Sequence, residues 1–291
     1  DISDKAKLLQ FAKQIAVEIN NIELAKKYYS QVESKTNNAN DFLALANQII
    51  SDLNDKEYAS EIYKRCESNF KSSKDFILLA NAIITNLNDI SRAKNIFNTA
   101  LLNTEKFPDF IELLNNSFDK TKDLELSKNI INSAEKISNS TNEYLVLTKY
   151  ALEKLGDKEL ASKYLELSEE VVTNLNEMKE VTETVKKFFS DNQDWIKRVE
   201  DKLKKRQDNQ SKYEEFQKLE NSAQSTKDLR RLVDNMMIEL DDSYYAKKLL
   251  LKAEGLLNNE NFNLNNYVKL FDSIEKHLKD SLHTTIAYIS E

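Results

Sequence analysis

One register recurs along this chain every 34 residues, and a period of that size limits the fold to tandem supersecondary units. Asp41-Phe42-Leu43-Ala44-Leu45-Ala46 returns as Asp75-Phe76-Ile77-Leu78-Leu79-Ala80. It returns again as Asp109-Phe110-Ile111-Glu112-Leu113-Leu114 and as Glu143-Tyr144-Leu145-Val146-Leu147-Thr148. One step back lies Lys7-Leu8, and one step forward lies Glu177-Met178. The spacing then jumps. Asp228-Leu229 follows after 51 residues, 17 more than the period, and Asn266-Tyr267 after another 38.

Each unit reads as two helices. In the first, apolar residues fall three or four apart, as in Phe42, Leu45, Ala46, Ile49 and Leu53. That spacing is the stripe of a helix buried on one face. A polar break ending in aspartate follows: Asp55, Asp89, Asp123, Asp157, Asp191, Asp242 and Asp280. We expect these to be helix N-caps, because a carboxylate there accepts from an unpaired backbone N–H and suits the positive helix end. The second helix carries a small residue, then large apolar ones, then another small one. Examples are Ala59, Ile62, Tyr63, Cys66 and Ala93, Ile96, Phe97, Ala100. Small residues let two helix backbones approach closely.

Composition excludes most alternatives. The 291 residues include two glycines, Gly156 and Gly255, and one proline, Pro108. Turn-rich β folds and phosphate-cradling loops need more glycine than that. Hydrophobic residues make up 40% of the chain, enough for a core. The net charge of −7 argues against a nucleic-acid surface as the main feature. With one cysteine, Cys66, neither an internal disulfide nor a cysteine zinc cluster can form. We place Cys66 in the core. No stretch of about 18 apolar residues predicts a membrane span. No signal segment is visible at the amino terminus, which favours a cytoplasmic setting. The chain begins at Asp1 without Met, as a processed form or an excised piece would.

The second-helix spacing resembles the tetratricopeptide repeat, a 34-residue helix–turn–helix unit. Ala93-Phe97-Ala100 and Ala59-Tyr63-Cys66 match its small–aromatic–small pattern, and Gly156-Asp157-Lys158-Glu159-Leu160-Ala161 resembles its inter-helix turn. The first helix departs from it, with Phe-x-x-Leu-Ala at the usual family positions and no late proline. The expected fold is an all-α solenoid of about eight such repeats. The resemblance implies a right-handed superhelix whose first helices line the concave face. Such units cannot bury their stripes alone, so stacked neighbours supply the core.

Two places break the pattern. In the fourth unit, Ser117 and Thr121 stand at positions that are otherwise apolar. In the sixth, Trp195 replaces the small residue, and Arg198 and Lys202 fall where core residues belong. We expect Trp195 to be a packing anchor. The 17 inserted residues either lengthen a helix or form an extra one. The chain therefore divides into an array over 1–194, an irregular basic segment over 195–226 and a pair of repeats over 227–291.

The expected function is non-catalytic: a protein-interaction scaffold that binds a protein or peptide segment, with no cofactor, metal or small-molecule substrate. The alternative is a structural part of a larger assembly. Asn47, Asn81 and Asn115 hold one first-helix position in three consecutive units. They either bond to each other as a ladder or, as the resemblance implies, grip a peptide backbone. Gln48, Ser51, Thr85, Asn116 and Asp119 are their neighbours on the expected inner face. Lys197, Arg198, Lys202, Lys204, Lys205 and Arg206 form either an electrostatic contact or a solvated helix face. A nucleic-acid code is not expected, since the Gln48 position reads Gln14, Gln48, Ala82, Asn116 and Tyr150, which repeats no reader. His277 and His283 are six apart, so they lie on different sides of a helix and do not pair on a metal. No nucleophile elbow, phosphate loop or poised acid pair is present.

Overall fold

A computed structural model describes residues 4–257 and 264–277. Among them there is no strand. The chain forms two compact units, Asp1–Ser138 and Asn139–Glu291. This division reflects compactness, whereas the segments 1–194, 195–226 and 227–291 were drawn on repeat register.

The amino-terminal unit is four helical hairpins. The first pairs α1 (Lys5–Gln14, continued by a π-helical turn over Ile15–Ile19) with α2 (Ile22–Glu33). The others are α3 (Ala39–Leu53) with α4 (Lys56–Glu67), α5 (Ser73–Leu87) with α6 (Ile90–Leu102), and α7 (Phe107–Thr121) with α8 (Leu124–Glu135). First helices also pack on first helices, α3 on α5 and α5 on α7. The stripes read from the sequence are the core: Phe42, Leu45, Ala46 and Ile49 are buried, as are Phe76, Leu79, Ala80 and Ile83. Ala59 and Ala93 are fully buried on the second helices, beside buried Tyr63 and Phe97. Ser117 is fully buried too. Its hydroxyl donates to the Leu114 carbonyl, and Thr121 donates to the Ser117 carbonyl, so both polar intruders are satisfied within α7.

The turns between paired helices explain the regularity. Five of them reverse through one residue with positive φ, thirty-four residues apart: Asn20, Asn54, Asn88, Lys122 and Gly156; Asp241 plays the same part before Asp242. Asparagine and glycine tolerate that left-handed backbone best. An aspartate follows immediately in four of the five. Asp55, Asp89, Asp123 and Asp157 accept from the N–H groups of Tyr58, Arg92, Leu126 and Leu160 at 2.9–3.0 Å. Asp242 does the same for Tyr245 at 3.0 Å.

Asp191 departs from the expected cap. Asn192 caps the helix instead, accepting from the Trp195 N–H at 3.1 Å. No left-handed residue precedes Asp191. The tight turn is therefore not made, and the helix starts one residue later. Asp280 and His283 lie outside the described residues, as does the Cys66 side chain.

The carboxy-terminal unit pairs α9 (Thr141–Tyr150, continued by a π-helical turn over Ala151–Leu155) with α10 (Lys158–Glu170). It also pairs α11 (Leu175–Phe188) with α12 (Gln193–Asp208), and α14 (Thr226–Glu239) with α15 (Ser243–Leu257). The insertion forms an extra helix, α13 (Gln210–Ser222), packed on α12 and α14. It carries Tyr213 and Phe216 into a core with Leu229, Val233, Met236, Tyr245, Leu249 and Leu250. The helix α16 (Leu264–His277) packs on α14 and α15. No helix among the described residues is long and apolar enough to cross a membrane.

Candidate functional site

The asparagine row sits on α3, α5 and α7 of the amino-terminal unit, and the helices cross-link through it. The Asn47 carboxamide oxygen accepts from Asn86 Nδ2 at 2.7 Å, and Asn86 also donates to the Tyr63 hydroxyl at 2.8 Å. One step along, Asn81 Nδ2 donates to Asn116 Oδ1 at 2.8 Å, and Asn116 Nδ2 donates to the Glu112 carbonyl. Asn81 Oδ1 is buried and accepts no hydrogen bond. Gln48 donates to Asp52 at 2.7 Å. Asn47, Ser51, Thr85 and Asp119 are exposed, while Gln48, Asn81, Asn115 and Asn116 are half-buried. The face is thus mostly uncharged, with its inner amides tied across helices and its hydroxyls open to solvent. Such groups offer donors and acceptors to a peptide backbone without selecting for charge.

The basic stretch divides by helix face. Positions 195, 198, 202 and 206 form one stripe of α12, and that stripe turns inward. Glu169, at the end of α10 and only 5% exposed, receives all of its upper part. It accepts from Trp195 Nε1 at 2.9 Å, Arg198 at 2.8 and 3.1 Å, and Lys202 at 2.7 Å. Burial would raise the Glu169 pKa, but the bonds from Arg198 and Lys202 outweigh it and hold the carboxyl below its ordinary value. Trp195 is buried against Phe189, their ring centroids 5.0 Å apart, as expected of a packing anchor.

Lower on the stripe, Arg206 is 7% exposed. It donates to the Val172 carbonyl and to Asp242 Oδ2, both at 2.9 Å, and lies over the Tyr213 ring. The Tyr213 hydroxyl donates to the same Asp242 oxygen at 2.8 Å. Burial pushes the Tyr213 hydroxyl well above its ordinary pKa, and the Asp242 charge adds to that. Lys197, Lys204 and Lys205 are exposed on other faces of α12, Lys205 reaching the Asp241 carbonyl at 3.3 Å.

A third buried carboxylate, Glu220 at the end of α13, accepts from the Tyr245 hydroxyl at 2.8 Å and pairs with Lys248 and Lys252. Sequence reasoning missed Glu169 and Glu220 and read Asp242 only as a helix cap, although one signal was available. Glu33, Glu67, Glu135 and Glu169 share a register position near the end of second helices. Arg65 binds Glu33 at 2.6 Å, and Arg92 binds Glu67 at 2.7 Å. An acid there awaits a cation from the following second helix.

Near this network, the 170–173 turn and α15 line a cleft of about 530 Å³ bordered by Val171, Thr173, Tyr244, Lys247 and Leu251. His277 pairs with Asp234 at 2.8 Å and is not part of it. Among the described residues, no group of three or more histidines, cysteines or acids is placed to hold a metal. In comparison with known proteins, no family model matches this chain and no curated protein matches its sequence.

Proposed function

We propose that this chain is a non-catalytic protein-interaction scaffold: a tetratricopeptide-like solenoid of about eight 34-residue repeats that holds a protein or peptide segment along α3, α5 and α7. The observation that carries the reading is the open polar row on consecutive, mutually packed first helices. It holds Asn47, Ser51, Thr85 and Asp119 on a base of cross-linked amides. A rigid row of that kind suits an extended ligand, whose backbone groups recur along its length. The left-handed turn residues at 34-residue spacing support the repeat reading.

A second reading, a structural part of a larger assembly, draws on a different row. Ile22, Ile90 and Leu124 each open a second helix and are 45%, 42% and 51% exposed. Apolar residues that recur at one position on an outer edge suit lateral packing against another chain.

Affinity capture from native lysate separates the two. We expect Ser51→Arg with Thr85→Arg, both at exposed positions, to lose the partner while circular dichroism stays unchanged. Retention of the partner by that variant, together with its loss from Ile90→Lys with Leu124→Lys, moves the contact to the outer row.

A further inference from the structure

The insertion that breaks the repeat register builds more than an extra helix. Between the first turn of α11 and α13 lies a cleft of about 380 Å³, within the size range of small-ligand sites. Leu175 and Asn176 line it from α11, Arg206 from α12, and Gln210, Glu214 and Gln217 from α13.

Three donors in this wall lack an acceptor. Arg206 is nine-tenths buried, and its Nη2 is taken by the Val172 carbonyl and by Asp242. Its Nη1 is buried and donates to nothing among the described residues. A buried donor left unpaired is costly, so this nitrogen calls for an acceptor. The Val172 bond ties the guanidinium to the turn just before α11. The cap of that helix is only partly filled. Asn174 Oδ1 accepts from the Glu177 N–H at 3.0 Å, while the Leu175 and Asn176 N–H groups have no acceptor among the described residues. The Glu177 carboxylate is turned instead to Thr173 and Thr141. Free N–H groups at the positive end of a helix attract an anion.

We propose that this cleft binds a carboxylate, with one oxygen on Arg206 Nη1 and the other on the first N–H groups of α11. The neighbouring charges select that group. Asp242 already balances Arg206, and Glu214 stands exposed on the cleft wall. Room is left for one negative charge, and a phosphate dianion is repelled. The side-chain amides of Gln210 and Gln217 offer donors and acceptors to the rest of the ligand. The inference is independent of the polar row on α3, α5 and α7, and either can fail without the other.

A nuclear magnetic resonance titration of the full chain with propionate, propionamide and inorganic phosphate tests it. Propionate is expected to shift the Leu175 and Asn176 amide resonances with a millimolar Kd, and propionamide, the same shape without the charge, to bind at least about tenfold more weakly. Leu175→Pro removes one donor at the first helical position, where proline is well tolerated, and should weaken propionate about fivefold with circular dichroism unchanged. Glu214→Gln, at an exposed position, should tighten it about threefold, a gain that damage to the fold would not produce. An end-blocked peptide whose only carboxylates are aspartate side chains distinguishes the source. Tighter binding than propionate assigns the carboxylate to a protein partner, and equal or weaker binding assigns it to a free small acid. Amides that do not respond to propionate overturn the proposal. So does equal binding of propionamide, a preference for phosphate, or binding indifferent to Leu175→Pro.

Discussion

The two units solve one problem, joining neighbouring helices through polar side chains, with different chemistry. The amino-terminal unit uses neutral groups: half-buried Asn81 with Asn116 and Asn86 with Tyr63, and buried Thr104 with Ser73. Its ion pairs, such as Lys5–Asp41 and Arg65–Glu33, lie towards solvent, where each contributes little. The carboxy-terminal unit buries carboxylates. Glu169, Glu220 and Asp242 each hold two or more donors from other helices. Regular hairpins close over small apolar residues. Where Trp195, Arg198 and Lys202 interrupt that pattern, a buried acid replaces apolar contact as the link. Burying a charge is costly unless it is well paired, so the second unit depends on these pairings in a way the first does not, even with Arg206 Nη1 buried without a partner.

Acid should break this comparison most sharply. Glu169 and Glu220 both have folded pKa values below the ordinary glutamate value of 4.5. In each, hydrogen bonds and nearby charge outweigh burial, which acts in the opposite direction. Depressed values mean that their stabilisation is present above the unfolded pKa and is lost as pH falls through the folded one. Trp195, the single tryptophan, lies in the carboxy-terminal unit and reports on it alone. Its fluorescence transition should therefore precede the loss of total helicity as pH drops below about 4.5. Coincident transitions would remove the distinction.

Asp242→Ala is the next largest perturbation. It strands the buried Arg206 and the Tyr213 hydroxyl and removes the α15 cap, at about 3–5 kcal/mol. The Trp195 midpoint in urea measures it. Glu169→Gln keeps the shape and removes the charge. Because Arg198 and Lys202 are partly solvated, we expect a smaller loss of about 2 kcal/mol by the same probe.

In the amino-terminal unit, Ala93→Leu overpacks a fully buried helix contact and should cost roughly 1–3 kcal/mol. Its effect should appear in total helicity while the Trp195 midpoint stays in place. Asn116→Ala removes one neutral cross-helix bond and is expected to cost about 1 kcal/mol. If Asn116→Ala proves as costly as Asp242→Ala, the neutral row is no lighter a link than the charged one.

Much of the helical pattern was legible in the sequence because it rests on local rules. The stripes through Phe42 and Phe76, the aspartate caps and the small residues Ala59 and Ala93 all follow from periodicity and backbone needs. The Asp191 cap failed because the turn lacks a left-handed residue, and that residue was not part of the reading. Sequence alone leaves the inserted residues between two outcomes, since a polar helix such as α13 has its place decided by tertiary contacts. The buried acids were the larger gap. Composition treats Glu169 as surface, and only the pairing of its register position with a basic residue on the next second helix marks it as interior. The asparagine row was placed on one face, but whether its amides bond sideways or await a ligand depends on side-chain reach, which spacing does not encode.

The packing of each helix against its neighbours in sequence bears on how the chain is made. Within a unit, most helix–helix contacts join the two helices of one hairpin, so little loop-closure entropy separates the unfolded chain from its first structure. A nascent polypeptide can therefore begin to fold as soon as consecutive hairpins have left the ribosome, each completed pair templating the one still being synthesised.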